Sequence, residues 1–105
     1  MSRIAPKFDI DGFDWDAGNR RKCAKHGLSI AEIEAFLLAG PRVAPDRKHS
    51  AKEERYLAVG RDSSGRAMFV AFVIRDKDRQ RLIRPISARY MHKKEIERYE
   101  EEDGS

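Results

Sequence analysis

Cysteine occurs once in the 105 residues and glycine only seven times. A single thiol, Cys23, supports no disulfide framework and fits a reducing compartment, and so little glycine excludes a collagen-like repeat. Long apolar runs are missing as well. The longest uncharged one, Ala67 to Ile74, is far shorter than the roughly 20 residues a membrane-spanning helix needs. The opening Met1-Ser-Arg-Ile-Ala-Pro carries one basic residue with no apolar stretch behind it, so no secretory signal is expected and the expected location is cytoplasmic. There is no internal repeat and no low-complexity linker. What remains is one domain over 8–100, preceded by a disordered terminus (1–7) and followed by an acidic tail (101–105). A chain of this length buries roughly two-thirds of its unfolded surface, enough for one two-layer core and no more.

Charge is plentiful, and it is unevenly spread. Lys and Arg total 22 against 18 Asp and Glu, a formal +4. Residues 17–92 hold 17 basic and 8 acidic side chains, or +9, whereas 93–105 hold 3 and 6, or −3. A strongly cationic middle favours a polyanion as partner, nucleic acid first, because phosphate contacts require no particular fold.

The pattern predicts an α/β (α+β) domain with an antiparallel sheet of about four strands, two N-terminal helices packed on it and a C-terminal helix. Phe8 to Asp11 and Phe13 to Asp16 alternate apolar with acidic residues at the period of a half-buried strand, with Gly12 allowing a bend. Asp16 can cap a helix over Ala17 to His26 that Gly27 ends. Ser29 and Glu32 have the spacing of a capping box, Ile30, Ile33 and Leu37 recur at helical spacing behind it, and Gly40-Pro41 stops that second helix. A short strand is expected at Arg42 to Ala44. Three longer ones follow, Arg55 to Arg61, Ala67 to Arg75 and Leu82 to Tyr90, joined as hairpins by polar segments, and His92 to Glu102 closes the chain as a charged helix. Ala67 to Ile74 is apolar at both parities, so both faces of the sheet must be covered there, the second by the terminal helix, another copy or a partner.

Few residues have the chemistry for a site. Cys23 and His26 share a helical face as half of a zinc site would, but His49 and His92 stand apart and no second cysteine exists, so neither metal nor cofactor is expected. Lys25-His26-Gly27 sets a cation and an imidazole at a helix C-terminus, where the dipole favours positive charge and where a structural C-cap is the other reading. The stronger signal is a set of arginines on or beside strands: Arg55, Arg61, Arg84 and Arg89, with Glu53 and Glu54 at the entry to the first strand and Ser87 between the last two. Arg84 interrupts Leu82-Ile83-Arg84-Pro85-Ile86 where a core residue is expected and therefore needs a partner, a phosphate or an internal carboxylate such as Glu54 or Asp14. Pro85 offers no ladder N–H, which predicts an edge or bulge beside it. Arginines gathered over a scissile phosphate can promote RNA cleavage without metal by stabilising developing charge while a weak base takes the 2′-hydroxyl proton.

Phe13-Asp-Trp-Asp16, Lys25-His-Gly-Leu-Ser29, Glu53-Glu-Arg-Tyr-Leu-Ala-Val-Gly-Arg61 and Arg84-Pro-Ile-Ser-Ala-Arg-Tyr-Met-His92 occur in the order and spacing of BrnT-type toxins, and the chain resembles that family over about residues 8–100. The resemblance implies a RelE-like fold and a ribonuclease that arrests translation. It also implies neutralisation by a BrnA-type antitoxin whose ribbon-helix-helix part binds the operon's DNA, with room for a higher-order toxin–antitoxin assembly. Matched blocks and charge chemistry together nominate His26, Glu54, Arg61, Arg84 and Arg89 as catalytic and Lys25, Arg55 and Ser87 as RNA-binding. The competing expectation is a non-catalytic module whose basic face only docks nucleic acid or protein.

Overall fold

The protein is described by a computed structural model over residues 9–49 and 52–104; Phe8 and the expected disordered terminus lie outside the described residues. Its elements in chain order are β1 (Gly12–Phe13), α1 (Ala17–Ala24), α2 (Ile30–Leu38), β2 (Arg42–Pro45), β3 (Arg55–Arg61), β4 (Ala67–Lys77), β5 (Gln80–Tyr90) and α3 (Lys93–Gly104), with one 3-10 turn at Arg47–His49. The sheet has five strands in the order β1-β5-β4-β3-β2. Four run antiparallel, but β1 lies parallel to β5, pairing Gly12 with Leu82 and Phe13 with Ile83. The expectation of about four antiparallel strands is thereby corrected to a mixed five-stranded sheet. The period-two stretch at the start shrinks to a two-residue strand because the chain turns at once to cap α1.

Both N-terminal helices start on reciprocal caps, which satisfy donors that a helix end leaves open. Asp16 accepts from the Asn19 N–H at 3.1 Å while the Asn19 side chain accepts from the Asp16 N–H at 2.7 Å. Ser29 and Glu32 form the same box, at 3.1 and 2.9 Å. α1 is shorter than its expected ten residues, ending at Ala24, with Gly27 at φ +83° completing the turn that a side-chain-bearing residue would strain. α3 runs to Gly104, so the expected acidic tail is largely its last turn.

Register sorts the sheet into two faces. On one, Met68, Val70 and Phe72 of β4 sit beside Ala88 and Ile83 of β5 and Ala58 of β3, and together with Cys23, Leu28, Ile33, Phe36 and Leu37 from the helical layer they form the core. Phe72, Ile33, Leu37 and Met68 are fully buried, each contributing about 1.5–3 kcal/mol of transfer free energy. The register of β4 against β5 slips between Ala71 and Phe72, placing a bulge at Ile86, directly after Pro85, whose ring nitrogen cannot join the ladder. Asn19, 3% exposed, ties the bulge to the helix layer: its side-chain amide donates to the carbonyls of Asp14 and Pro85, both at 2.9 Å.

Candidate functional site

The other face of the sheet carries the charge. Following the ladder, one cross-strand row reads Arg55, Val73, Arg84; the next reads Ala44, Leu57, Ala71, Ser87; the third reads Arg42, Val59, Phe69, Arg89; and Arg61 pairs with Ala67 beyond it. Directly opposed residues share a face, so Arg42, Arg55, Arg61, Arg84, Arg89 and Ser87 all belong to the surface opposite α1 and α2. Strands are spaced about 4.8 Å apart, which sets the backbones of Arg55 and Arg84 about 10 Å apart across Val73. Ala71 and Val73, 2% and 4% exposed, form the floor between them.

Four of these guanidiniums, those of Arg55, Arg61, Arg84 and Arg89, lie against a carboxylate. Arg84 lies 2.9 Å from Asp16 and 3.6 Å from Asp14, and only 17% of its side chain is exposed. Arg89 makes a two-pronged pair with Glu95 of α3, 2.8 Å on each arm, and its guanidinium lies 4.3 Å over the Phe69 ring. Arg61 donates to Glu100 of α3 at 2.6 Å and to the Gly65 carbonyl at 2.9 Å. Arg55 approaches the buried Asp46 at 4.0 Å. Arg75, on the same face near the far end of β4, takes both oxygens of Glu53, at 2.8 and 3.1 Å. A guanidinium has five N–H donors and a two-pronged pair uses two, so these carboxylates fix the arginines in place without exhausting them.

The electrostatics follow the pairing. The Arg89 guanidinium pulls the Glu95 carboxyl down to about 2 against its desolvation, and the His92 N–H adds to this. Glu53 is held below the usual carboxylate range by Arg75 first, with the charge of Arg84 also felt there. Asp16 is lowered by the Asn19 N–H at the helix cap and then by Arg84.

The nominated residues are divided by the sheet. Arg55, Arg61, Arg84, Arg89 and Ser87 come together on one face. Lys25 and His26 do not join them: both are exposed just past the end of α1, in the layer packed on the opposite face. Glu54 also turns away, accepting a 2.6 Å hydrogen bond from Tyr56, whose ring packs with the core on Phe72, so of the two glutamates it is Glu53, held by Arg75, that reaches the arginine face. The internal partner of Arg84 is Asp14, as the sequence allows, joined by Asp16 in place of Glu54. Arg42, Arg75, Lys94, Arg98 and Tyr99 carry no strand interruption or motif to mark them in the sequence; only the register and the docking of α3 bring them to this face. Cys23 is buried in the core, where desolvation pushes its thiol up to about 11, the behaviour of packing and not of a nucleophile. Among the described residues no group of three or more His, Cys, Asp and Glu is arranged to hold a metal ion, and no helix is long and apolar enough to cross a membrane.

A family model described as the ribonuclease toxin BrnT of type II toxin-antitoxin systems matches residues 15–95, more than three quarters of the chain. A comparison with curated proteins finds no match.

Proposed function

Since the chain belongs to the BrnT family of ribonuclease toxins of type II toxin-antitoxin systems, we propose that its arginine face is the surface that binds and cleaves RNA, without a metal ion. The observation that carries this reading is the single cross-strand row Arg55, Val73, Arg84 with Ser87 one row on: two anchored guanidiniums flanking a small apolar floor. In this reading Arg55 and Arg84 hold the scissile phosphate and stabilise the charge that develops as the 2′-oxygen attacks, Ser87 orients a phosphate oxygen, and Arg61 and Arg89 extend the cationic surface toward α3. Glu53, held on this face by Arg75, is the carboxylate proposed to take the 2′-hydroxyl proton, as a weak base because the arginines beside it stabilise its ionised form. Attack of the 2′-oxygen on phosphorus expels the 5′-oxygen of the next nucleotide, which takes a proton from solvent as it leaves, giving a 2′,3′-cyclic phosphate and a 5′-hydroxyl. His26, Glu54 and Lys25 have no part in this centre.

The biological setting is part of the same proposal. The fold is read as RelE-like, the activity as one that arrests translation in the cytoplasm, and the neutralising partner as a BrnA-like ribbon-helix-helix antitoxin that alone contacts operator DNA and can gather toxins into a larger assembly. A second reading is favoured by the carboxylate pairing of Arg61, Arg75, Arg84 and Arg89: a module that docks on RNA or protein and does no chemistry. Purified protein incubated with labelled RNA in EDTA separates the two. Cleavage that survives the chelator, yields cyclic-phosphate ends and stops with a 2′-deoxy substitution at the scissile nucleotide supports the enzyme. Cleavage that requires added metal overturns the metal-free mechanism, and binding with no cleavage leaves the docking module.

A further inference from the structure

Between α3 and the β2–β3 edge of the sheet lies a groove of about 290 Å³ whose walls include Arg42, Val59, Met91, Lys94, Arg98 and Tyr99. We infer that this groove is a nucleotide subsite that seats one base of an RNA substrate beside the scissile position and contributes to base preference. The inference rests on the RNA reading of the arginine face and adds a site that reading does not contain.

Three features carry it. The groove is continuous with that face: Arg42 and Val59 stand in the same cross-strand row as Phe69 and Arg89, and Glu95, which grips Arg89, also lines the groove. Its cations differ from those of the sheet centre. Lys94 and Arg98 stand four residues apart on one stripe of α3, exposed, and neither is ion-paired to any described carboxylate, whereas the neighbouring Arg61 and Arg89 are anchored to Glu100 and Glu95. A phosphate entering here meets N–H donors without first displacing a carboxylate. The third feature is the aromatic wall. The Tyr99 ring is half-buried with the Arg42 guanidinium 5.1 Å from its centroid, and Val59 and Met91 complete an apolar surface beside it. Cations around an aromatic and apolar wall are the components with which proteins hold a single-stranded nucleotide, the ring taking the base and the cations the backbone. The volume stands near the lower end of small-ligand pockets, roughly 300 Å³, which suits one nucleotide and not a run of them. Glu95 and Glu100 act as fasteners, holding α3 against the sheet so that the groove keeps its width.

The test uses a fluorescein-labelled hexanucleotide carrying 2′-O-methyl groups throughout, so that it binds without being cut, read by anisotropy in four versions with different bases. Two variants are compared with the parent. The first is Lys94→Gln with Arg98→Gln, which leaves both fasteners of α3 in place. It should bind on the order of tenfold more weakly and reduce the salt slope by about 0.7 for each phosphate that is no longer neutralised. The second, Tyr99→Leu, should also lose on the order of tenfold while keeping the parent's salt slope, and the difference in affinity between the four versions should shrink. If both variants bind all four versions as the parent does while Arg84→Gln binds poorly, the groove is not a subsite and the RNA reading of the sheet survives. If the parent itself neither binds the hexanucleotide nor cleaves RNA, that reading falls and takes the subsite with it.

Discussion

Asn19 is the residue on which the position of the arginine face most depends. Both of its amide hydrogens are committed to carbonyls, one on the exit from β1 and one on the Pro85 side of the bulge, while its oxygen caps α1. Truncation leaves the buried Pro85 carbonyl without this donor, so Asn19→Ala should lose about 2–3 kcal/mol, a fall of roughly 10–20 °C in melting temperature by calorimetry. No sequence signal marks it, since a helical asparagine after an aspartate reads as surface. Arg84 is the opposite case, legible at once because a charge stands where the strand wants a core side chain. Its partners Asp14 and Asp16 give it a structural role beside the one proposed for it. Arg84→Ala leaves the Asp14 carboxylate, 17% exposed, without its counter-ion, and a loss of about 1–3 kcal/mol is expected, partly restored by adding Asp14→Asn. If the double variant is no more stable than the single one, the pair is not what holds Arg84 in place.

At the scale of elements, the meander is readable because β3, β4 and β5 are long, strongly patterned and joined by short polar segments. The β3 bounds match the pattern at both ends, whereas β4 and β5 each run two residues further into the turn than expected. That turn is Asp78-Arg79, both in the left-handed region at φ 50° and 64°, and the missing glycine is why the sequence suggests a longer loop. Arg79→Gly should relieve this conformation and stabilise the hairpin by about 1 kcal/mol, read as a higher midpoint in urea; a lower midpoint would mean the Arg79 side chain supports the turn. α1 falls short of its expected length because its hydrophobic pattern is weak and only the cap at Asp16 defines it. For α3 the structure adds a pH dependence. Glu95 falls from 4.5 to about 2 on pairing with Arg89, so its contribution to folding is present above about pH 4.5 and is lost as pH drops from there toward 2. The stability difference between the parent and Glu95→Gln should therefore be full near pH 6 and vanish near pH 2, by thermal melts followed across that range. A difference that persists unchanged at pH 2 would contradict the pairing.

For the molecule as a whole, the sequence carries the charge balance and the arginine set but not the side of the sheet on which each residue lies. Parity along β3 and β5 groups Arg55 with Arg61 and, across the bulge, Arg84 with Ser87 and Arg89, yet nothing local says that Lys25 and His26 fall in the opposite layer; that depends on how α1 packs, which is fixed by Cys23, Asn19 and the bulge together. The same holds for the double-sided apolar strand β4. On its second face the Arg89 guanidinium lies over the Phe69 ring and Arg61 pairs across from Ala67, and α3 grips both arginines through carboxylates that the sequence presents only as a charged end. Sidedness is therefore the sharpest part of the proposal, which assigns RNA chemistry to the arginine face and not to the α1 end. The direct measurement is the initial rate of RNA cleavage in EDTA by Arg84→Gln and His26→Ala, each at a temperature where near-ultraviolet circular dichroism finds it fully folded. Arg84→Gln should be slower by about a hundredfold or more, the scale of losing one preorganised donor to developing charge, while His26→Ala stays within about threefold of the parent. A His26→Ala variant that is folded and inactive, beside an Arg84→Gln variant that cleaves at the parent's rate, would contradict it.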